Sequence, residues 1–467
     1  METDSKFLYP ADLVSLCRTA WQRQQELRTP KTKSRRKDQD VLSGCPPFPT
    51  DGELLELLST VYHVSFLAEE GRPVSVRVIY VLPETFERCH NLNLHEKPAR
   101  LQRTVQLSVG ELLKLAPAVQ PIESAIMVAP ADAANSEATG SLVIWGVLHL
   151  GTEWWKIITG ADSAAMCPPN CLTISSFAPG ALTISALGDA IARLRNGRLI
   201  GTPLPDLDEG PIGDFLAPAA RELYRAAAAA LGRERYDDEK DSDRHPFQLY
   251  HRTLARLLHL VREQGHGGTL LILPDEITPV DGRLVDRLTI KYGLEIESIW
   301  ETLVQQCVAQ SNYYRLLFPN SGTFTTFPQQ ASASAKSLKE LIRWEGLLEA
   351  ADNRIAEYCS TIAALSAVDG AVVLSRRLRL YGFGAEILAT SPSLSEIKDA
   401  YDPNVTQAAT ARLERYGTRH RSAMRMCSSF EECVALVVSQ DGPVKAIKRV
   451  GADVVMWNDV TLGRQAI

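Results

Sequence analysis

Two short stretches near the C-terminus combine residue types that suit nucleotide chemistry. The first is Asp369-Gly370-Ala371, which interrupts an apolar run from Ile362 to Leu374 where a helix should give way to a strand. A glycine there lets a backbone or a ligand approach closely, and the aspartate brings a carboxylate to the same spot. Taken alone, an Asp-Gly pair is more often a simple turn than a functional site.

The second stretch is Gly417-Thr418-Arg419-His420-Arg421, which places two guanidiniums, an imidazole and a hydroxyl directly after a glycine. Arginine presents a planar fork of donors that matches phosphate oxygens, and the glycine leaves backbone N–H groups free to point at an anion. A solvated surface is the ordinary alternative for such a triplet. One carboxylate and one phosphate grip together indicate a bound nucleotide and a metal ion.

These stretches are followed by Val437-Val438-Ser439-Gln440-Asp441-Gly442. In this order they resemble the diadenylate cyclase (DAC) domain of bacteria. That family carries an Asp-Gly-Ala motif, a Gly-Thr-Arg-His-Arg motif before a small residue, and a Val-Val-Ser-acid turn. The resemblance covers roughly residues 246–455, with extra sequence typical of a divergent subgroup that has its own N-terminal sensor-like domain. It implies a nucleotidyltransferase that condenses two ATP molecules into cyclic di-AMP and two pyrophosphates.

The resemblance also implies a role for each motif residue. Asp369 would orient the attacking 3′-hydroxyl, directly or through a divalent metal, Mg or Mn, for which Asp441 is a second candidate ligand. His420 would either donate to a phosphate or, as an interior polar residue, fix a turn. The implied catalytic residues are Asp369, Arg419, His420 and Arg421, and the implied ATP-binding residues are Gly370, Ala371, Gly417, Thr418, Arg419, Arg421 and Ser439.

Two positions depart from the family pattern. Val368 stands where members often carry a histidine, and Gln440, a weaker magnesium ligand, stands where they usually carry a glutamate. Asp441 could supply the missing carboxylate, or ATP itself could hold most of the metal; Glu386 is a weaker candidate ligand. The same departures keep a second function open, in which a catalytically degenerate DAC domain binds ATP or a cyclic dinucleotide as a sensor.

Length, charge and composition limit the remaining functions. A chain of 467 residues has room for two or three domains, and a net charge of −6 argues against a general nucleic-acid-binding surface. Nine scattered cysteines suit reduced thiols better than a disulfide framework. The N-terminus lacks an apolar signal-peptide core, and the most apolar run, residues 142–150, is too short to span a bilayer. We therefore expect a soluble cytoplasmic protein.

Apolar periodicity and linker composition predict how the chain is divided. The predicted segments are an N-terminal helix and basic linker at 1–43, an α+β sensor-like domain at 44–205, a linker helix and charged break at 206–245, and a DAC-like domain at 246–467. The predicted fold class is α/β, with a C-terminal mixed sheet flanked by helices. A helical insertion is predicted at about 290–365, with helices at 290–317 and 337–365.

In the sensor-like domain we predict strands at 64–67, 74–82, 105–109, 124–128 and 142–150, and a helix at 182–194. Cys167 and Cys171 have a zinc-like spacing, but no second Cys/His pair follows nearby, so a proline turn is the preferred interpretation. This domain is expected to bind an unknown ligand or protein. Since one protomer would hold one ATP, self-association is expected to bring two active sites together.

Overall fold

The computed structural model describes residues 7–28, 48–69, 72–84, 99–119, 124–134, 141–149, 171–186, 189–195, 197–199, 207–232, 245–317, 335–400, 402–406, 408–439, 444–458 and 460. The chain divides into two compact units. The first consists of Met1–Ile158, Ala165–Thr202 and Arg464–Ile467, and the second of Thr159–Ala164 and Pro203–Gly463. Each unit combines helices with its own mixed sheet, which confirms the predicted α/β fold class.

The first unit is strand-rich. Its described helices are α1 (Pro10–Arg28), α2 (Asp51–Val64) and α3 (Val109–Leu115). Its strands are β1 (Ala68–Glu69), β2 (Arg72–Pro73), β3 (Val76–Tyr80), β4 (Ala99–Gln106), β5 (Ser124–Pro130), β6 (Leu142–His149), β7 (Leu172–Ser176), β8 (Leu182–Ala186), β9 (Asp189–Arg195) and β10 (Arg198–Leu199). Apart from the β1–β2 pair, they form one sheet in the order β10-β9-β8-β7-β3-β5-β6-β4, in which β3 and β5 are parallel.

The start of α2 shows how local sequence sets an element boundary. The Thr50 hydroxyl accepts a 3.3 Å hydrogen bond from the Glu53 N–H, and the Glu53 carboxylate accepts one of 2.7 Å from the Thr50 N–H. This reciprocal capping box satisfies two backbone donors at the helix start. The helix then continues to Val64, so the strand predicted at 64–67 is wrong, and the short β1–β2 pair follows instead.

The helix predicted at 182–194 is also wrong. This segment forms the antiparallel strands β8 and β9, with Leu182 opposite Leu194 and Ile184 opposite Ala192. These four side chains face the same core as α1 and α2, which is the period-two pattern of a strand with one buried face. The strand predicted at 105–109 ends earlier, at Gln106, and α3 begins at Val109.

The second unit is a sheet covered by helices. Its helices are α4 (Gly210–Ala230), α5 (His245–Glu263), α6 (Ile299–Leu317), α7 (Ala335–Leu365) and α8 (Thr418–Ser429). Its strands are β11 (Gly268–Leu273), β12 (Leu288–Thr289), β13 (Ala371–Ser375), β14 (Leu380–Ile387), β15 (Glu396–Ala400), β16 (Ala408–Arg412), β17 (Val434–Val438), β18 (Val444–Val450) and β19 (Asp453–Trp457). They form one mixed sheet in the order β12-β14-β13-β11-β17-β18-β19-β15-β16.

Alternate residues of the central strands enter two separate cores in this unit. Leu270 and Ile272 of β11 pack in a core to which α4, α5, α6 and α7 all contribute. Leu271 and Leu273 pack in a second core, to which α8 contributes Met424. Because neighbouring side chains of a strand point to opposite faces, α8 covers one face of the sheet and α4 to α7 cover the other.

Two helices of this unit differ from the predicted segments. α6 begins at Ile299 rather than at residue 290, because Tyr292 pairs with Phe383 of β14 through backbone hydrogen bonds of 3.2 and 3.0 Å. α4 falls in the predicted linker, yet it buries Leu216 and Leu223 in the core of the second unit. Its apolar stripe therefore makes it part of this unit.

Candidate functional site

The register of three neighbouring strands brings the sequence motifs to one edge of the second sheet. β11 runs parallel to β13, with Thr269 opposite Ala371, and antiparallel to β17, with Thr269 opposite Val437. The edge at which β11 and β13 begin is therefore the edge at which β17 ends. Asp369, which precedes β13, and Ser439, which follows β17, consequently lie along the same edge.

Helix α8 is tied to this edge by one of its own side chains. Nη1 of Arg419, in the first turn, donates a 2.8 Å hydrogen bond to the carbonyl oxygen of His266. His266 lies two residues before β11, which is the strand between β13 and β17. The motif that opens α8 is thereby brought next to the strand that separates Asp369 from Ser439.

The N-terminus of α8 has the properties of an anion site. Gly417 is the N-cap residue, and no side chain of the described residues caps the first turn, which also lacks an acidic residue. The first N–H groups of a helix have no intrahelical partners and carry a partial positive charge. Arg419 and Arg421 add two guanidiniums to that charge. Since a Cβ at Gly417 would meet nothing within 4 Å, a ligand can approach the backbone there.

Two polar atoms of the motif are buried and lack a partner. Nε2 of His420 and Nε of Arg421 have no hydrogen-bond partner in the part of the chain that the structure describes. Buried polar atoms in native proteins are nearly always paired, so these two atoms indicate a ligand or water at this place. Burial, with Lys445 and Arg419 nearby, lowers the pKa of His420 to about 4. Its imidazole is therefore neutral at pH 7.

Next to His420 lies a polar cluster that sequence reasoning missed. The ring of Tyr416 is 6.2 Å from that of His420, and Nζ of Lys445 is 5.6 Å from the Tyr416 ring centroid. The Tyr416 hydroxyl lies 3.5 Å from Oδ2 of Asp399, whose other carboxylate oxygen accepts a hydrogen bond from the Asn458 amide. Burial raises the pKa of Asp399, although Lys445 and Tyr416 oppose the shift.

The sheet assembles this cluster from distant parts of the sequence. Asp399 lies on β15, Lys445 on β18 and Asn458 directly after β19, and these three strands are neighbours in the order β18-β19-β15. Periodicity in a sequence identifies which residues face a core, but it does not reveal which strands pair. Tyr416 belongs to this cluster and directly precedes Gly417, the N-cap residue of α8. The cluster therefore helps to fix the start of α8.

Glycine in the Asp-Gly-Ala motif is required by the backbone structure, whether or not a ligand binds. Gly370 has φ +115°, and a Cβ there would lie 2.6 Å from the carbonyl carbon of Gly384 on β14. L side chains rarely adopt that backbone conformation, so the close approach of β13 and β14 requires glycine. The methyl group of Ala371 is buried in the core that α8 covers, so Ala371 offers a ligand only its backbone.

The carboxylates at this edge do not form a complete metal site within the described residues. Asp369 is exposed and makes no hydrogen bond with the described residues, and Glu386 is exposed on β14. Gln440 and Asp441 lie outside the described residues. In the part of the chain that the structure describes, no group of three or more His, Cys, Asp or Glu side chains could hold a metal ion.

These carboxylates suit a cation that is held partly by substrate phosphates better than one that is held by protein ligands alone. Magnesium is usually held by one or two carboxylates together with the phosphates of a substrate. One exposed carboxylate beside an anion-binding helix terminus fits that arrangement and does not fit an all-protein cage. In the first unit, Cys171 is buried, while Cys167, its partner in the zinc-like spacing, lies outside the described residues.

Comparison with protein families gives a match in the first unit. Residues 43–149 match a family model described as the probable sensor domain DACNV. That family is the N-terminal sensor domain of DAC-type proteins, so residues 43–149 are similar to such a domain, and they precede in sequence the unit that holds the candidate site. No curated protein matches the chain. In the described residues, no helix is both long and apolar enough to cross a membrane.

Proposed function

We propose that the protein is a diadenylate cyclase that condenses two ATP molecules into cyclic di-AMP and two pyrophosphates under the control of its N-terminal domain. One observation carries the proposal: Asp369, the start of α8 and Ser439 meet at one edge of three neighbouring strands. A carboxylate, an anion-binding helix terminus and a hydroxyl are the groups that a nucleotidyl transfer needs in one place. The DACNV match supports the regulatory part, because that family is the sensor domain of DAC-type proteins.

In the proposed reaction each 3′-hydroxyl attacks the α-phosphorus of the other ATP. A new P–O bond forms at each α-phosphorus, the bond to the β-phosphate breaks, and pyrophosphate leaves with its electron pair. Asp369 orients the attacking hydroxyl and accepts its proton. Positioning and charge stabilisation supply most of the rate in such phosphoryl chemistry.

The start of α8 holds the triphosphate in this proposal. Arg419 and Arg421 neutralise the charge that develops on the leaving pyrophosphate, and the backbone at Gly417 and Thr418 donates to phosphate oxygens. Neutral His420 donates to the same ligand, which would satisfy its buried Nε2. Ser439 adds a hydroxyl contact from the end of β17. A divalent cation, Mg or Mn, would be held by Asp369 and by the substrate phosphates, where it lowers the charge of the triphosphate.

The chemistry requires two copies of the protein. One edge of this kind binds one ATP, and each ATP is attacked by the hydroxyl of the other. The active form is therefore at least a dimer, in which two such edges face each other. The N-terminal domain binds a ligand or protein and changes the rate at which this form acts.

One observation favours a second candidate function, an ATP or cyclic-dinucleotide sensor without catalysis. Val368, next to Asp369, is an exposed apolar residue where the family often has a histidine. Asp369 is then left without a neighbouring imidazole at that position, and Gln440 is neutral. Such a site would bind the triphosphate at α8 without activating a hydroxyl.

One experiment separates the two functions. The purified full-length protein is incubated with ATP and magnesium, manganese or cobalt, and products are identified by mass spectrometry, while calorimetry measures ATP binding. Cyclic di-AMP with any cation supports the cyclase. Binding of ATP without a dinucleotide product supports the sensor. If the protein neither binds ATP nor forms a dinucleotide, both proposed functions are contradicted.

A further inference from the structure

The first half of α7 is a helix with an open outer face. Its second half packs in the core of the second unit through Ile355 and Ile362. In contrast, every residue from 338 to 350 is exposed or half-buried, and Leu338 and Ile342 are 50% and 59% exposed. Large apolar side chains that are exposed near the start of a long helix indicate a contact that the described residues do not make with one another.

Helical geometry shows which residues share the outer face. Leu341, Trp344 and Leu348 are half-buried, so they mark the inner side of this half of α7. At 100° per residue, the side that points away from them includes Lys339, Ile342, Gly346 and Glu349, which follow one another at intervals of three and four residues. These four residues, which we call the outer face, are all exposed or, for Gly346, open to solvent.

Gly346 is unexplained by the packing of the chain itself. Glycine in a helix interior costs about 0.5–1 kcal/mol relative to alanine. A Cβ at Gly346 would meet nothing within 4 Å, so none of the described residues excludes a larger side chain there. Its backbone conformation is also one that any L residue adopts within a helix. A glycine on an open helical face does, however, allow another helix to come close.

The outer face of one copy would match the outer face of a second copy in charge and in side-chain size. Lys339 and Glu349 lie five residues on either side of Trp344, and Ile342 and Gly346 lie two residues on either side. If two copies of α7 cross antiparallel about a two-fold axis at Trp344, each Lys339 faces the partner's Glu349. In the same arrangement each Ile342 faces the partner's Gly346, so that a large side chain meets an open position.

The same pattern also selects the direction of the second helix. In a parallel arrangement each Lys339 would face the partner's Lys339, and each Glu349 would face the partner's Glu349. Charges that pair in the antiparallel arrangement would oppose like charges in a parallel one, so the pattern selects orientation as well as partner.

We propose that a second copy of this chain docks antiparallel on the outer face of α7. The charge pattern commits the proposal to this occupant, because an unrelated protein would not have to repeat it in reverse order. The interface forms without nucleotide. It is separate from the contact between two ATP-binding edges that the proposed reaction requires, because the antiparallel arrangement places the two copies of Asp369 at opposite ends of the helix pair.

Charge exchange tests the arrangement directly. The full-length protein is studied by sedimentation velocity without ATP, and wild type is expected to form a dimer. Lys339→Glu and Glu349→Lys each place like charges opposite each other twice, so each should weaken the dimer about tenfold or more. The double variant Lys339→Glu/Glu349→Lys restores opposite charges and should restore the dimer.

A matched control and a size variant complete the test. Glu357 is exposed on the same helix, but its symmetry-related position, residue 331, precedes the first residue of α7, so Glu357→Lys should leave the dimer unchanged. Gly346→Leu fits within its own chain and favours helix, so thermal stability should hold or rise while the dimer weakens. A general loss of folding would instead lower both the thermal stability and the fraction of dimer.

Several results would overturn the proposal. They are a monomeric wild type at micromolar concentration, no recovery in the double variant, or equal weakening by Glu357→Lys. The outcome is separate from that of the cyclase proposal. A monomer that still makes cyclic di-AMP with ATP would remove this interface and leave the reaction, whereas a dimer without product would do the reverse.

Discussion

Nη1 of Arg419 donates a 2.8 Å hydrogen bond to the carbonyl oxygen of His266, which joins the first turn of α8 to the residue pair ahead of β11. An arginine side chain has five N–H donors, so one bond to a carbonyl leaves others available for a ligand. Arg419 is therefore placed both to hold α8 against the sheet and to contact an anion at the helix terminus. Arg421, two residues on, has no hydrogen bond from its buried Nε to the described residues.

This difference between the two arginines leads to a first prediction. Arg419→Ala should lower both thermal stability and ATP affinity, because it removes the bond to His266 and a phosphate contact. Arg421→Ala should lower ATP affinity with a smaller loss of stability. Each lost charge-assisted contact should weaken ATP binding by about 1.5–3 kcal/mol. Calorimetry and thermal unfolding measure the two effects, and unchanged ATP affinity in both variants would make the triplet a surface feature.

A second prediction concerns Gly417, whose conformation does not require glycine. Its φ is −66°, and a Cβ there would meet nothing within 4 Å. Serine is among the best N-cap residues, so Gly417→Ser should keep or raise the thermal stability of the protein. The same side chain would occupy the approach to the helix terminus, so ATP affinity should fall. ATP binding at the wild-type level in this variant would mean that the ligand does not reach the start of α8.

Gly370 provides the contrasting case for the same measurement. At φ +115°, with the Gly384 carbonyl carbon 2.6 Å from its Cβ position, Gly370→Ala should destabilise the fold by about 1–3 kcal/mol. Gly282→Ala is the control, since its Cβ would meet nothing within 4 Å and its φ is not positive. Equal stability of the two variants would show that β13 and β14 can separate here at little cost.

The sequence predicted the elements of the second unit better than their arrangement. The helix predicted at 337–365 and the strand after Asp369 are both present, because each is a strong local pattern. That β11 lies between β13 and β17 is a matter of strand pairing, which has no local signal. That the motifs lie close together in space could therefore be inferred only from the resemblance to a family, and not from their spacing in the sequence.

The errors have equally specific causes. The segment 182–194 contains alanine and leucine at spacings that also suit a helix, but its alternating residues pair across two strands. In the insertion, Tyr292 pairs with Phe383 and their rings stack at 5.0 Å, a contact made across 91 residues of sequence that shortens the helix predicted from residue 290. In both places a tertiary contact determined which structure forms, because the local propensities for the alternatives are similar.

A fourth prediction follows from His420. Burial lowers its pKa from 6.5 to about 4, and Lys445 and Arg419 contribute to the lowering. Between these two values the unfolded chain binds a proton that the folded chain does not bind. Folding should therefore lose stability as the pH falls from about 6.5 to about 4. The neighbouring hydroxyl of Tyr416 and carboxylate of Asp399 belong to the same cluster.

His420→Gln removes this one titration and should make the loss of stability over that pH range smaller. Other histidines contribute in the same direction, since burial also lowers the pKa of His245 to about 3 and that of His251 to about 4. The relevant measurement is therefore the difference between wild type and variant in thermal unfolding at pH 7, 6, 5 and 4. Parallel pH profiles would show that His420 titrates normally in the folded protein, and NMR of its imidazole would report the pKa directly.

The last prediction separates catalysis from binding at Asp369. The side chain is exposed and makes no hydrogen bond with the described residues, so Asp369→Asn should leave thermal stability unchanged. ATP should still bind, since the phosphate contacts are assigned to the start of α8 and Ser439. Synthesis of cyclic di-AMP should nevertheless fall by a factor on the order of a hundred or more, as for the loss of a positioned base.

Asp453→Asn is the matched control for this change. Asp453 is also exposed, but it begins β19 at the end of that strand away from Asn458, so its variant should keep full activity. If Asp369 merely stabilises the turn before β13, asparagine would serve almost as well, and synthesis by Asp369→Asn would equal that of the control. Equal rates in these two variants would contradict the catalytic role of Asp369. A wild type that binds ATP but makes no product, together with unchanged ATP binding by both variants, would favour the sensor function.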